Sequence, residues 1–307
     1  MENNGIQDSL LNKKAQYFDN CPGCKVDQLK EMQRGFPIKQ FTTIWTIVLC
    51  AALPISSLFP FLYFMVRDFH VAGREEDINS YAGYVGAAYM LGRTLTSVSW
   101  GLVADRYGRK PVILLSIIAV IVFNTIFGLS VNYWMAISAR FCLGAFNGLL
   151  GPIKAYATEI FRSEYQALAL SAISTSWAIG LIIGPALGGF LAQPAEQYPA
   201  IFSSASIFGR FPYFLPCLVI SAFAVVVVVS IYWLPETLHN HPPPAGPRPE
   251  SYDALEAALQ GSKEAQERQN TSSKSLFRNW PLMSSIIVYC IFSLHDMAYT
   301  EVYLTTM

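Results

Sequence analysis

Between Phe41 and Val66 the chain runs 26 residues without one charged side chain. A helix needs roughly 20 mostly apolar residues to cross the hydrocarbon core of a bilayer. The same kind of run recurs. Tyr81 to Val103 carries only Arg93, Pro111 to Ser130 carries no charge, and Trp134 to Ala157 carries Arg140 and Lys154. Ala167 to Ala192 and Pro212 to Leu234 are again uncharged. A seventh stretch, Pro281 to Leu304, is less clean, because it holds His295, Asp296 and Glu301. The pattern predicts an all-α membrane protein.

Composition agrees. Only 14% of the 307 residues are charged and 53% are hydrophobic, against about 25% charged in soluble domains. Disorder is excluded and a soluble enzyme is disfavoured. The net charge is zero, so no global basic field exists to attract nucleic acid. Six cysteines in a chain of this length make no disulfide scaffold. The first 40 residues are polar and the first apolar run is too long for a signal-peptide core, so the first span is expected to remain as an anchor.

Cytosolic loops of membrane proteins are enriched in Lys and Arg. Fifteen such residues fall in the N-terminal tail, the loops after spans 2 and 4, and the segment after span 6. Three fall on the opposite side, Arg67, Arg74 and Arg210. The expected plan is therefore a cytosolic tail over 1–40, a six-span bundle over 41–234, a cytosolic linker over 235–280 and a seventh span over 281–307. Five of the eight residues from Pro242 to Pro249 are proline, which suits a linker. Ser251 to Asn270 is polar and reads as a short surface helix.

The sharpest motif is Gly101-Leu-Val-Ala-Asp105-Arg106-Tyr-Gly108-Arg109-Lys110, in the short loop between spans 2 and 3. Gly101 and Gly108 permit close approach and a tight turn. Asp105 can meet a helix N-terminus or an arginine. Arg106, Arg109 and Lys110 hold the loop in the cytosol. In span 5, Gly180, Gly184 and Gly188 recur every four residues and make one smooth face for helix packing. Pro185 permits a kink there, and Gly189 follows the last of the series. In span 4, Arg140 is a cation near mid-membrane, which is costly unless it faces a cavity or a partner. It either lines a passage or is satisfied by backbone carbonyls. Lys154 and Glu159, five apart, either pair or snorkel.

The loop motif resembles the signature loop of the major facilitator superfamily. Gly184-Pro185-Ala-Leu-Gly188-Gly189 resembles the span-5 motif of its proton-linked antiporters. Cys21-Pro-Gly-Cys24 in the tail and Pro235-Glu-Thr-Leu-His239-Asn-His241 opening the linker resemble motifs of the plant zinc-induced-facilitator-like transporters. The resemblance covers the whole chain, while the family's last five spans are absent. It implies a major-facilitator N-terminal six-helix bundle, a cytosolic linker and one further transmembrane helix. It also implies proton-coupled antiport of a metal ion, a metal chelator or a small organic anion in zinc, iron or potassium balance. The membrane would be vacuolar or plasma membrane, and the partners would be lipid, protons, the small-molecule or metal-chelate substrate and a full-length homologue. No enzyme activity and no cofactor are implied.

Within that resemblance Arg140 corresponds to the span-4 arginine tied to proton coupling or substrate contact. Asp105 and Arg109 correspond to the cytosolic gate. Asp296 and His295 are the candidate proton carriers of span 7, since a carboxylate in a low-dielectric cleft has a raised pKa and histidine titrates near neutrality. Span 1 carries no acid, unlike that of many drug/proton antiporters. Cys21, Cys24, His239 and His241 together offer the donors of a tetrahedral zinc site. They equally suit a redox-sensitive thiol pair or a linker without metal. A truncated chain that regulates a full-length transporter, and an incomplete gene model, stand beside the transporter reading.

Overall fold

The computed structural model describes residues 21–32, 35–203 and 205–238, together with Trp280, Met283, Ser284, Ile287, Val288, Cys290, Ile291, Phe292 and His295. The chain divides into two compact units, Met1–His241 and Pro242–Met307. In the second, every described residue is helical, and all but Trp280 fall in the stretch expected as the seventh span. Asp296, His239, His241 and the expected surface helix over 251–270 lie outside the described residues.

The first unit is built from helices, with no strand among the described residues. A short helix α1 (Pro22–Met32) precedes α2 (Ile38–Ser56) and α3 (Phe59–Asp68). A 3-10 turn (Glu75–Asp77) leads into α4 (Ile78–Tyr107), and α5 (Arg109–Gly128) follows at once. Next come α6 (Tyr133–Phe146), α7 (Leu150–Ile160) and α8 (Ser163–Leu191). Two short helices, α9 (Pro194–Gln197) and α10 (Ile207–Arg210), lead to α11 (Phe214–Tyr232).

Two of the expected spans are broken. The run Ile38–Asp68 is one apolar stretch divided at Ser57–Leu58. Pro54 lies inside α2, where it removes a backbone N–H that the helix would use, and Pro60 sits in the first turn of α3, where the N–H has no intrahelical partner in any case. The run Tyr133–Ile160 is divided at Asn147–Leu149. The helices also extend past the apolar runs, as α4 does from Ile78 to Tyr107 and α8 from Ser163. Five helical runs among the described residues are long and apolar enough to cross a membrane. The 30-residue α4 is long enough but less apolar than those five.

The helices pack in neighbouring pairs, α4 on α6, α6 on α5, α5 on α11, α11 on α2 and α2 on α8. Small residues set how closely they meet. A Cβ added at Gly180 would stand 2.5 Å from Ala52 Cβ, and one at Gly184 would stand 1.8 Å from Ser56 Oγ. One at Gly188 would stand 2.0 Å from the Ser57 carbonyl oxygen. The glycine face of α8 is thus pressed onto α2 and the break after it. Ser56 Oγ donates to the Gly180 carbonyl at 2.8 Å, and Ser176 Oγ to the Trp45 carbonyl at 2.6 Å. The α4–α6 contact is equally close. A Cβ at Gly92 would meet the Phe141 carbonyl at 2.3 Å, and one at Gly144 the Tyr89 carbonyl at 2.0 Å. Thr96 and Trp100 both donate to the Ala145 carbonyl, at 2.8 and 2.7 Å.

The outside of the unit is greasy. Leu115, Ile118 and Val122 on α5, and Val225, Val226 and Val229 on α11, are exposed. Apolar faces of this extent are what a helix bundle presents to lipid rather than to water.

Candidate functional site

Two polar centres are held by this scaffold. The first is Arg140, which is 1% exposed on α6. The break between α2 and α3 leaves carbonyls at the end of α2 without the next turn to accept from. Arg140 Nη1 donates to one of them, Pro54, at 2.7 Å. The guanidinium lies 3.8 Å over the Phe127 ring of α5, a favourable place for a flat cation. Its Nε and Nη2 have no hydrogen-bond partner among the described residues. One donor thus rests on a backbone carbonyl, and two nitrogens are left over. Nearby polar groups form a second pair. Asn147, at the break between α6 and α7, donates from Nδ2 to the Tyr89 hydroxyl at 3.0 Å, and Arg93 sits beside that hydroxyl.

The second centre lies where α4 gives way to α5. Gly108 joins the two helices with φ +108°, a conformation that favours glycine. A Cβ there would also stand 2.8 Å from the Glu236 carboxyl group. Arg109 pairs with Asp105 one turn back. Its Nε and Nη2 reach Glu159 Oε1 at 3.3 and 3.2 Å. The Arg109 backbone N–H, at the exposed start of α5, donates to Glu236 Oε1 at 3.1 Å, so Glu236 caps that helix from 127 residues away. Thr237 Oγ1 donates to Glu159 Oε2 at 2.5 Å, and Tyr156 to the Pro235 carbonyl at 2.7 Å. Lys110 donates to the Tyr232 carbonyl at 2.9 Å. One arginine thus ties α4, α7 and the segment leaving α11.

Of the residues singled out in the loop motif, Asp105, Gly108, Arg109 and Lys110 meet in this cluster. Arg106 lies over the neighbouring Tyr107 ring, and a Cβ at Gly101 would touch nothing within 4 Å. Glu159 pairs with Arg109 rather than Lys154, which stays exposed without a described ion pair. Of the span-5 residues, Gly180, Gly184 and Gly188 face α2, while Gly189 makes only an ordinary contact with Pro60 and Pro185 lies inside α8. His295 is exposed in the second unit. Cys21 and Cys24 are buried at the start of α1. Among the described residues no group of three or more His, Cys, Asp or Glu is placed to hold a metal.

At the opposite end Tyr213 donates to Asp68 Oδ2 at 2.5 Å. Glu159→Gln removes the charge that Arg109 faces. Both side chains are partly buried, and the variant is expected to lose about 1 kcal/mol, read as an earlier unfolding midpoint in a denaturing-detergent titration.

Sequence and fold comparisons agree on what this scaffold is like. The family model described as "Major Facilitator Superfamily" matches residues 44–307. The chain is 64% identical over 294 residues to the Arabidopsis thaliana protein named Zinc Induced Facilitator-Like 1, covering 96% of this chain and 60% of that protein. It is 59% identical over 301 residues to Arabidopsis thaliana Zinc Induced Facilitator 1, covering 97% and 62%. The chain therefore spans about three fifths of the length of these curated relatives. A bacterial homologue of the human lysosomal transporter Spinster, inward-facing and unoccupied, superposes with a TM-score of 0.57 at 17% identity, over 70% of this chain and 47% of its own. The proton:xylose symporter XylE gives 0.55 at 13% identity, over 65% and 45%. At such identities the likeness is one of fold.

Proposed function

The chain belongs to the Major Facilitator Superfamily, a family of membrane transporters and not of enzymes, and on that footing we propose that it forms the N-terminal wall of a proton-coupled antiporter. Its cargo is a small organic anion or a metal chelate rather than a bare metal ion. The tail and the linker lie in the cytosol, and the membrane is that of the vacuole or the cell surface.

The observation that carries this reading is Arg140, buried among helices with two nitrogens unmatched. Leaving a buried charge so poorly met is costly. The cost is understandable where a partner arrives and leaves during a cycle. The sequence adds a charge argument. Arg93, Arg140 and Lys154 all lie within the apolar runs of spans 1 to 6, and those runs hold no Asp or Glu. An uncompensated positive interior repels a bare cation and attracts a carboxylate. The proton carrier must then come from outside these runs, and Asp296 and His295 are our candidates in this chain.

In this fold the substrate sits near the midplane and one half rocks against the other. The tight α2–α8 and α4–α6 contacts suit paired helices that move together. The glycine face of span 5 and the Arg109 cluster would then hold the wall together while the passage opens and closes.

The test is flux in vesicles containing this chain, with a pH gradient imposed and a panel of zinc ion, zinc chelates and organic acids as cargo. We expect organic-anion or chelate flux that a protonophore abolishes. Flux equal to that of empty vesicles, or flux indifferent to the protonophore, overturns the reading for this chain.

A further inference from the structure

Neither polar centre includes the place where the N-terminal helix meets the bundle. There α1 is held in position. Its Val26 is buried and belongs to the main core, and Gly23 donates its backbone N–H to the Leu238 carbonyl at 3.1 Å. Between α1, the start of α2 and the turn from α7 to α8 lies a partly open cleft of about 70 Å³. Val26, Pro37 and Ile160 give it an apolar surface. Lys30, Arg162 and Tyr165 line it as well, so two cations stand against that surface.

Both cations have donors to spare. Lys30 Nζ donates to Asp27 Oδ1 at 3.1 Å, and an ammonium has three hydrogens, so two remain. Arg162 is half-buried and has no ion pair among the described residues. Its side chain does not cap α8 either, so the helix does not depend on its guanidinium. The sequence sets the depth of the cleft. The first uncharged run opens at Phe41, just after Pro37, and Arg162 and Tyr165 stand between the apolar runs of spans 4 and 5. The cleft therefore lies where hydrocarbon gives way to headgroups. Basic pockets between membrane helices on the cytosolic side suit anionic headgroups.

We propose that this cleft binds one anionic phospholipid of the cytosolic leaflet, its phosphate between Lys30 and Arg162 and its glycerol backbone and upper acyl chain on Val26, Pro37 and Ile160. A soluble anion would use the two cations but gain nothing from the apolar surface. An uncharged lipid would use the surface but gain nothing from the cations. Only an amphipathic anion matches both. The bound lipid fastens α1 to the ends of α2 and α8 and is held there rather than carried across. The choice of leaflet rests on the orientation proposed above. Binding is measured without transport, so it stands or falls separately from the antiporter reading.

The experiment uses the full chain purified in detergent and titrated with phosphatidylserine or with phosphatidylcholine of matched chains, bound lipid being counted by native mass spectrometry. Phosphatidylserine should bind about tenfold more tightly, and less so as salt rises. Lys30→Gln and Arg162→Gln should each weaken its binding about fivefold, and both together about 30-fold. Arg74→Gln, at an exposed cation on the opposite side of the bundle, should change nothing. Because the double variant can fail to fold, a second measurement needs only the parent chain. Phosphatidylserine with a photoreactive group beside its phosphate should label residues 26–30 or 160–165. Labelling elsewhere, equal binding of the two lipids, or a double variant that binds like its parent would each overturn the proposal. So would displacement of the lipid by an equal concentration of glycerophosphoserine, which would mark a site for a soluble phosphate instead.

Discussion

Gly188→Val is expected to leave almost no folded protein in the membrane. The added side chain would begin 2.0 Å from the Ser57 carbonyl oxygen and 2.9 Å from its carbon. Neither is the flexible end of a side chain, so the helices themselves must part. Moving α8 away from α2 also stretches the Ser56–Gly180 and Ser176–Trp45 hydrogen bonds. Overpacking usually costs 1–3 kcal/mol and sometimes more. Here the contact is with backbone and two hydrogen bonds go with it, so about 3 kcal/mol or more is expected. The measurement is the yield of monodisperse protein, followed by denaturation of whatever survives. Gly83→Ala is the control, because a Cβ there meets nothing within 4 Å. A Gly188→Val protein as stable as its parent would mean that α8 and α2 are not in the close contact described.

The second large effect concerns Arg140. Arg140→Ala should reduce proton-driven flux by about 100-fold, or roughly 2.7 kcal/mol of barrier at 1.36 kcal/mol per tenfold. Removing the side chain also leaves the Pro54 carbonyl without its donor, at a cost of about 1–3 kcal/mol. Flux must therefore be compared at equal amounts of monodisperse protein. Arg140→Lys should fail too. A lysine keeps the charge but cannot lie flat over Phe127 while donating to Pro54. If flux survives in the alanine variant, the arginine is there for packing alone, and the site must be sought around Arg93, Tyr89 and Asn147.

Much of the architecture could be read from the chain because apolar runs are a direct consequence of the solvent around them. The glycine face of α8 was equally open to reading, since four-residue spacing places Gly180, Gly184 and Gly188 on one line. Helix ends were not. Ile78, Asn79 and Ser80 continue α4 beyond its apolar stretch, and nothing in hydropathy alone marks that turn. The break at Asn147 was also hidden, because Asn147-Gly148 lies inside an otherwise helical pattern and its reason is the packing against Tyr89 and Trp100.

The polar centres divide in the same way. Asp105 and Arg109 stand four apart, so their pairing is local and was visible. Glu159 and Glu236 lie 50 and 127 residues from Arg109, and only the folded chain brings them there. Lys154 drew attention to Glu159 because it is near in sequence, yet Arg109 holds that carboxylate. The environment of Arg140 depends on a carbonyl freed by the break after Pro54. Pro54 and Pro60 flank the break, and neither says which side chain uses it.

The Arg109 knot has a mechanical consequence. A helix end that is cross-tied to its neighbours cannot slide along them, whereas a helix interrupted halfway can bend at the interruption. In this unit the ties gather at the rim where α4 meets α5, and the interruptions fall at Ser57–Leu58 and Asn147–Leu149. Strain applied from one side of the bilayer would be taken up at those two soft joints while the rim tilts as a plate. Spectroscopic labels on either side of each joint should therefore change their separation during turnover, and pairs across the rim should not.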